Sequence, residues 1–345
     1  MQVYIAIDLG AGSGRLVAGV YNGGTLKLEE VHRFDNNGVE IHGGCYWNTI
    51  SLFESILEGL QKANEKYGDA IVSIGADTWG CDYNLLDKQG NMLGGHRQYR
   101  DPRIEGMQEE MESRMPMESV FACTGVQPAF YNSSLHLLAE GVKNNPCLDI
   151  ADRLLFTPDL LAYWLSGVQS NERTVTSTSQ LYDPIKRDWA WEVIDALGLP
   201  RKMFGNIVSS GTVLGPLTDA VADKAGVSHT LQVVASAGHD TASAVAGLPM
   251  ERGGLWLSPG TWSILGVESE KPVTTTAAYE AKLSNEGGVN KTTRLLHNVS
   301  GLWIIQECRR YWAERGEEMS YAELARLAEE AQPHTAYIDP NDPVF

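Results

Sequence analysis

The sequence predicts an α/β protein of two domains, and three observations carry that expectation. At 345 residues the chain is long enough for two domains. An apolar run over residues 3–9 leads into the turn Gly10-Ala11-Gly12-Ser13-Gly14-Arg15, and a second apolar run follows at once over residues 16–21. A later stretch, from about residue 231 to 265, repeats the theme of strand, small polar turn and strand. Two such turns facing each other would hold one phosphate chain from both sides.

The opening turn suits an anion. Glycines at 10, 12 and 14 permit positive φ and let backbone N–H groups converge as a nest. Ser13 adds a hydroxyl, and Arg15 adds a fork of donors suited to phosphate. Asp8 ends the strand beside this nest, where a carboxylate repels phosphate unless a cation stands between them. Mg²⁺ with its retained waters is the expected cation. A P-loop or a dinucleotide fingerprint would continue as a helix. Here a strand follows, and Asn22-Gly23-Gly24 marks a hairpin. An ordinary glycine-rich hairpin shares these glycines; Asp8, Ser13 and Arg15 together favour phosphate.

Further elements follow in order. Asn48 or Thr49 caps a helix over about 50–67, with Ile50, Phe53, Ile56, Leu57 and Leu60 on one face and Gly68 closing it. Residues 70–75 read as a buried strand. Asp101-Pro102 opens a charged helix running to about Met115, and Thr157-Pro158 opens another that Gly167 ends. The Ser- and Thr-rich residues 171–179 are either an irregular segment close to a ligand or a surface loop. A helix is expected over 189–197 and a strand over 231–236. The chain closes with a helix over about 301–314 and a last one that Ser320 and Glu323 begin as a capping box.

Composition narrows the function. A net charge of −17 argues against nucleic acid and anionic membrane as partners, though not against a nucleotide held in a local nest. No apolar run approaches a transmembrane length. The first residues enter a strand directly, in place of the basic region and apolar core of a signal peptide. The five cysteines are scattered, which suits a reducing cytoplasm and neither a disulfide framework nor zinc. The eight histidines show no metal spacing and no G-x-S-x-G elbow is present.

Three stretches carry chemistry. In Gly238-His239-Asp240-Thr241 the Asp either caps the helix that follows or takes the proton of a sugar hydroxyl attacking a phosphoryl group. Asp77-Thr78-Trp79-Gly80-Cys81-Asp82 offers carboxylates for hydroxyls, an indole face and a glycine for close approach, or else a plain turn with a half-buried Trp. Asn298 and Gln306, near a helix start, read as structural on spacing alone.

Together with Tyr99-Arg100-Asp101 and Ser258-Pro259-Gly260-Thr261-Trp262-Ser263, these stretches resemble the FGGY carbohydrate kinases, and within them the members acting on L-rhamnulose. The matching segments run in the family's order along the whole chain. The resemblance implies an actin-like ATPase (ribonuclease H-like) fold, two α/β domains about a cleft, divided here as 1–246 and 247–345. It implies ATP-dependent phosphorylation of L-rhamnulose at the 1-hydroxyl by a cytoplasmic monomer or homodimer using ATP and Mg²⁺. Other ketoses such as L-fuculose or L-xylulose are the nearest alternatives, and an inactive fragment or a sugar or nucleotide sensor is a further one. By position, Ala11, Gly12, Ser13, Gly14 and Arg15 would contact the ATP phosphates, and Thr261 and Gln306 would face ATP. Gly80, His239, Asp240, Thr241 and Asn298 would contact the sugar, with Asp240 as proton acceptor and Asp8 toward Mg²⁺. For Asn298 and Gln306 this overrides the structural reading. The family also continues past the part matching Asp339, with a glycine-rich adenosine segment not found here. The chain is therefore expected to be C-terminally truncated, with weak nucleotide binding and an exposed apolar face near its end.

Overall fold

The computed structural model describes residues 1–251, 253–260, 262–333 and 335–339. They form two compact units, one of Met1–Met250 with Glu268–Leu295, the other of Glu251–Val267 with the described residues from Leu296 onward.

The first unit is built on a six-stranded mixed sheet. Strand β1 (Gln2–Leu9) lies between strand β2 (Ser13–Tyr21), antiparallel to it, and the strand Ile71–Thr78, parallel to it. Strand β3 (Leu26–Asp35) extends the sheet beyond β2, while Gln232–Ala235 and Thr212–Pro216 extend it on the other side. β1 alternates as a half-buried strand should: Val3, Ile5, Ile7 and Leu9 are buried, and the residues between them are more exposed. Against this face packs helix α1 (Thr49–Tyr67), which buries Ile56, Leu57 and Leu60. Asn48 caps α1, its side chain accepting the Ser51 N–H, and Gly68 ends it. The helix Thr157–Ser166 adds Leu161 and Leu165 to the same core. A second core, around Met111, Val120, Leu135, Phe156 and Ile194, holds the helical insertion that follows the Ile71–Thr78 strand.

Several expectations are corrected. The glycines at 10, 12 and 14 do not adopt positive φ. The turn is instead closed by Gly10 N–H donating to the Ser13 carbonyl at 2.9 Å and by the Asn36 amide donating to the Gly10 carbonyl at 2.9 Å. The helix expected from Pro102 is broken into a short 3-10 turn, Pro102–Ile104, and a helix, Met107–Arg114, because Gly106 between them takes φ 76°. The helix expected from residue 189 starts at Trp191, after a two-residue strand. Residues 171–179 are not a surface loop. They fold as a two-residue strand, a helical turn and a 3-10 turn, all buried.

In the second unit, Leu255–Pro259 pairs antiparallel with the strand Trp262–Ser269, with Ser258 opposite Ile264, so the expected second hairpin is present. Its helices are Trp303–Ala313 and Tyr321–Glu330, the latter capped by Ser320 accepting the Glu323 N–H. No residue of either helix is buried, and Leu255, Leu257, Leu265 and Leu302 are exposed.

The alternation of the Ile71–Thr78 strand sets a test. Ile74 is wholly buried and Val72 lies on the outer face, 37% exposed. Urea unfolding should show Ile74→Ala less stable by about 2–5 kcal/mol, as for other truncations in a packed core. Val72→Ala should stay within about 0.5 kcal/mol of the parent.

Candidate active site

Strand register assembles the site. Asp8 stands opposite Arg15 on β2 and opposite Asp77 on the parallel strand Ile71–Thr78, so these three residues form one row across the sheet. The row lies at the carboxyl ends of the parallel strands, where open α/β sheets bind ligands. The next stretch is brought alongside by a bridge between Thr78 and His239, with the Thr78 N–H donating to the Gly238 carbonyl at 2.9 Å.

The turn between β1 and β2 keeps its donors available. Ala11 and Gly12 are exposed, and no hydrogen bond among the described residues takes the N–H of either. A cavity of about 510 Å³ opens beside them, lined among others by Trp47, Gln98, Tyr99 and Arg100. Arg15 pairs with Asp8, its Nη2 at 2.6 Å and its Nε at 2.8 Å from Asp8 Oδ2. The arginine side chain is 45% exposed. Such a pair contributes at most about 1 kcal/mol, so an arriving phosphate and cation can take over both partners at little cost.

The carboxylates behind this pair are crowded. Burial, then the charges of Asp8 and Asp240, push Asp77 up to about 8. A divalent cation would relieve that crowding, and the oxygen donors here suit Mg²⁺. Among the described residues no group of three or more His, Cys, Asp or Glu side chains is placed to hold a metal ion. The ion would accordingly lean on phosphate oxygens and water as well as Asp8.

Asp240 is the first residue of the helix Asp240–Ala246, and His239 at the N-cap makes no side-chain cap hydrogen bond. Asp240 Oδ1 accepts from the Thr241 backbone N–H and from Thr241 Oγ1 at 3.0 Å. His239 Nδ1 lies 2.9 Å from the same oxygen. Among the described residues no hydrogen bond occupies Oδ2, and the side chain is 40% exposed. Against the cost of burial, His239 and Thr241 hold the carboxyl below its usual range, so it is ionised at neutral pH.

The buried Ser/Thr segment anchors this turn, a function the sequence did not announce. Glu172 Oε2 accepts the N–H of Thr174 at 2.8 Å and of Gly238 at 3.0 Å, and the hydroxyl of Thr174 at 2.5 Å. Its Oε1 accepts from Ser210 Oγ at 2.6 Å. Thr174 Oγ1 in turn accepts the His239 N–H at 3.1 Å. Thr178 Oγ1 accepts the Cys81 N–H at 3.0 Å, and a Cβ on Gly80 would fall 2.9 Å from that hydroxyl oxygen. Gly80 is thus required by the approach of Thr178. Cys81 follows it with φ 72°, a strained value for a side-chain-bearing residue.

The plain reading of the Asp77–Asp82 stretch wins for its indole. Trp79 is buried in the core, and its Nε1 and that of Trp47 donate to Asp82 Oδ2 at 2.7 and 2.6 Å. Burial pushes Asp82 up to about 7 despite those two bonds. Asp82 braces two tryptophans instead of presenting Oδ2 to a sugar. Of the remaining expected contacts, Asn298 lies on the strand Thr293–Ser300 and Gln306 on the helix Trp303–Ala313, both in the second unit, and Thr261 lies outside the described residues.

Comparison with known proteins decides the ancestry. Residues 3–247 match the N-terminal domain of the FGGY family of carbohydrate kinases, and residues 255–345 match its C-terminal domain. The chain belongs to the FGGY family of carbohydrate kinases. Similar curated proteins include a rhamnulokinase of Bacteroides thetaiotaomicron, 40% identical over 100% of this chain and 70% of that protein. Another is a rhamnulokinase of Oceanobacillus iheyensis, 36% identical over 100% of this chain and 72% of that one. Among solved structures, a ligand-bound xylulose kinase of Lactobacillus acidophilus superimposes with a TM-score of 0.83 at 15% identity, over 96% of this chain and 66% of that one. A Plasmodium falciparum glycerol kinase with ADP gives 0.78 at 15% identity, over 96% and 67%. The fold is therefore the two-domain, actin-like ATPase fold of these sugar kinases, as the sequence led one to expect, and the chain is a carbohydrate kinase of that family.

Glu172 offers a check on the anchoring of the Asp240 turn. Glu172→Gln replaces one acceptor oxygen by a donor amide among groups that all donate. Leaving a buried donor without its acceptor costs about 1–3 kcal/mol, and a loss of that order should appear in chemical denaturation. Backbone hydrogen exchange should rise at Gly238 and His239. Unchanged protection there would remove Glu172 from this role.

Proposed function

We propose that this chain transfers the γ-phosphoryl group of ATP to the 1-hydroxyl of L-rhamnulose, giving L-rhamnulose 1-phosphate and ADP. The observation that carries the reading is identity of 34–40% along essentially the whole chain to proteins named rhamnulokinase. The geometry of Asp240 supports the chemistry.

In this reading the ketose hydroxyl approaches Asp240 Oδ2, the oxygen left by Thr241 and His239. As the hydroxyl oxygen bonds to phosphorus and the bond from phosphorus to the ADP oxygen breaks, the hydroxyl proton passes to Asp240. An ionised carboxylate of ordinary basicity suffices, because little proton transfer is needed until the new bond is well advanced. The Ala11 and Gly12 N–H groups, Ser13, Gly14 and Arg15 hold the phosphates. Mg²⁺, when bound, neutralises charge on the phosphate oxygens, and Asp8 would hold it, in part through water. Gly80, His239 and Thr241 are assigned to the sugar. In the second unit we assign Asn298 to the sugar and Thr261 and Gln306 to ATP, on the family's pattern. The family's two parts are taken to divide at 1–246 and 247–345.

The test is ADP release by the 345-residue chain with Mg²⁺-ATP and a panel of ketoses. Release led by L-rhamnulose is expected, and release led by L-fuculose or L-xylulose would reassign the substrate. Asp240→Asn should lower turnover by about 10²–10⁴-fold, the usual worth of a positioned base, with sugar affinity largely kept. Near-parental rates would remove Asp240 as the base. Arg15→Ala should raise the KM for ATP, and an effect confined to sugar affinity would contradict its phosphate role.

A further inference from the structure

The His239 ring lies between two carboxylates. Nδ1 faces Asp240 Oδ1 at 2.9 Å, and Nε2 faces Glu286 Oε2 at 3.4 Å. A neutral imidazole carries no charge for either carboxylate; the imidazolium forms an ion pair with both, although Nδ1 has no hydrogen-bond partner among the described residues. Glu286 is itself held. Arg294 Nη2 is 2.8 Å from the same Glu286 Oε2, and Arg294 Nε donates to the Gly287 carbonyl at 3.1 Å. The Arg294 side chain is wholly buried. Signs therefore alternate along one contact chain: Asp240 negative, His239 positive, Glu286 negative, Arg294 positive.

We propose that Glu286 and Arg294 are positioning residues for phosphoryl transfer, fixing His239 as an imidazolium that holds Asp240 Oδ1 and so aims Oδ2 at the substrate hydroxyl. This rests on the reading of Asp240 as the base. Neither residue lies in a stretch that pointed to chemistry in the sequence, and neither needs to touch the sugar to act. The Ser177 hydroxyl accepts the Gly287 N–H at 2.6 Å, and Arg173 donates to the Gly288 carbonyl, so the strand Ser284–Gly287 that carries Glu286 is pinned to the buried polar segment. A loosely placed carboxylate could not orient the ring.

Titration agrees with this geometry. Burial alone would lower His239, but Asp240 and Glu286 together raise it to about 9. The other charges that bear on the ring are Asp77, on the Ile71–Thr78 strand, and Arg294 behind Glu286. Because His239 is raised, its hold on Asp240 is complete at neutral pH and lost as pH rises through about 9.

The experiment follows the C–H resonances of His239 by NMR in the full chain, assigned with His239→Gln, alongside the pH profile of kcat. In the parent, His239 should titrate near 9. In Glu286→Gln it should titrate lower by about 1 unit or more, the usual effect of one adjacent charge. The alkaline limb of kcat should move down with it, and KM for ATP should stay unchanged. Glu286→Gln leaves Arg294 without its anion, so the double variant Glu286→Gln/Arg294→Gln guards against misfolding and should lower His239 in the same direction. A parental titration near 6.5, or a His239 that does not move in either variant, overturns the proposal. So does an alkaline limb that stays in place while His239 shifts. If the chain shows no turnover with any ketose, the proposed activity of this chain fails; the titrations alone then decide whether Glu286 and Arg294 fix the imidazolium.

Discussion

Everything at this site depends on one buried carboxylate being surrounded by donors. Glu172 is nearly inaccessible, and a polar group in such a place is tolerated only if its hydrogen-bonding capacity is used. It is used by Thr174, Val175, Gly238 and Ser210. The consequence reaches beyond Glu172. The Gly238 N–H is a fixed point two residues before Asp240, and Thr174, itself held by Glu172, fixes the His239 N–H. Asp240 is thus placed by its backbone, before any contact of its own side chain. The same segment holds Cys81 through Thr178 and Gly287 through Ser177. Three stretches far apart in sequence meet on one scaffold.

Charge balance around the sheet row explains why the site fits a phosphate carried with a cation. Asp8, Asp77 and Asp240 bear on one another, with the charges of His239 and Arg15 opposing them, and Asp77 yields by rising to about 8. A bare polyphosphate would add negative charge to that group. A phosphate arriving with Mg²⁺ would add much less; Asp8 would then hold the cation, and Arg15 would be free to pair with the phosphate. The exposed Asp8–Arg15 pair is a weak resting state that either partner can leave.

Local chemistry was legible in the sequence where backbone geometry follows from a few adjacent residues. The hairpin at Asn22-Gly23-Gly24, the Asn48 cap, the Gly167 stop and the Ser320 cap all belong to that class. So did the β1–β2 turn, although its glycines act without positive φ and the closure comes from Asn36. What could not be read was burial of polar residues by distant partners. Residues 171–179 look like a loop because Ser, Thr, Asn and Glu there have no local reason to be inside. Only the fold supplies Gly238, Cys81 and Gly287 as partners. Asp82 misleads in the opposite direction: a carboxylate near a sugar-like motif turns out to bind two indoles, one of them Trp47, 35 residues away. Glu286 and Arg294 carry no local signature, since their meaning lies in contacts with His239 and with each other.

The proposed reaction can rely on an aspartate held below the usual carboxyl range. In phosphoryl transfer a strongly basic group would gain little, because the attacking hydroxyl keeps its proton until the bond to phosphorus is well formed. What limits the rate is direction: the hydroxyl must point along the line of displacement, and a misplacement of about 1 Å can cost about 10²-fold. Accordingly the surrounding residues act against basicity. Thr241 and His239 stabilise the charged form of Asp240, which lowers its affinity for a proton while fixing the plane of the carboxylate. Basicity is given up for orientation, and both effects come from the same contacts on Oδ1. In the proposed transfer the proton arrives late, and the loss of basicity then costs little.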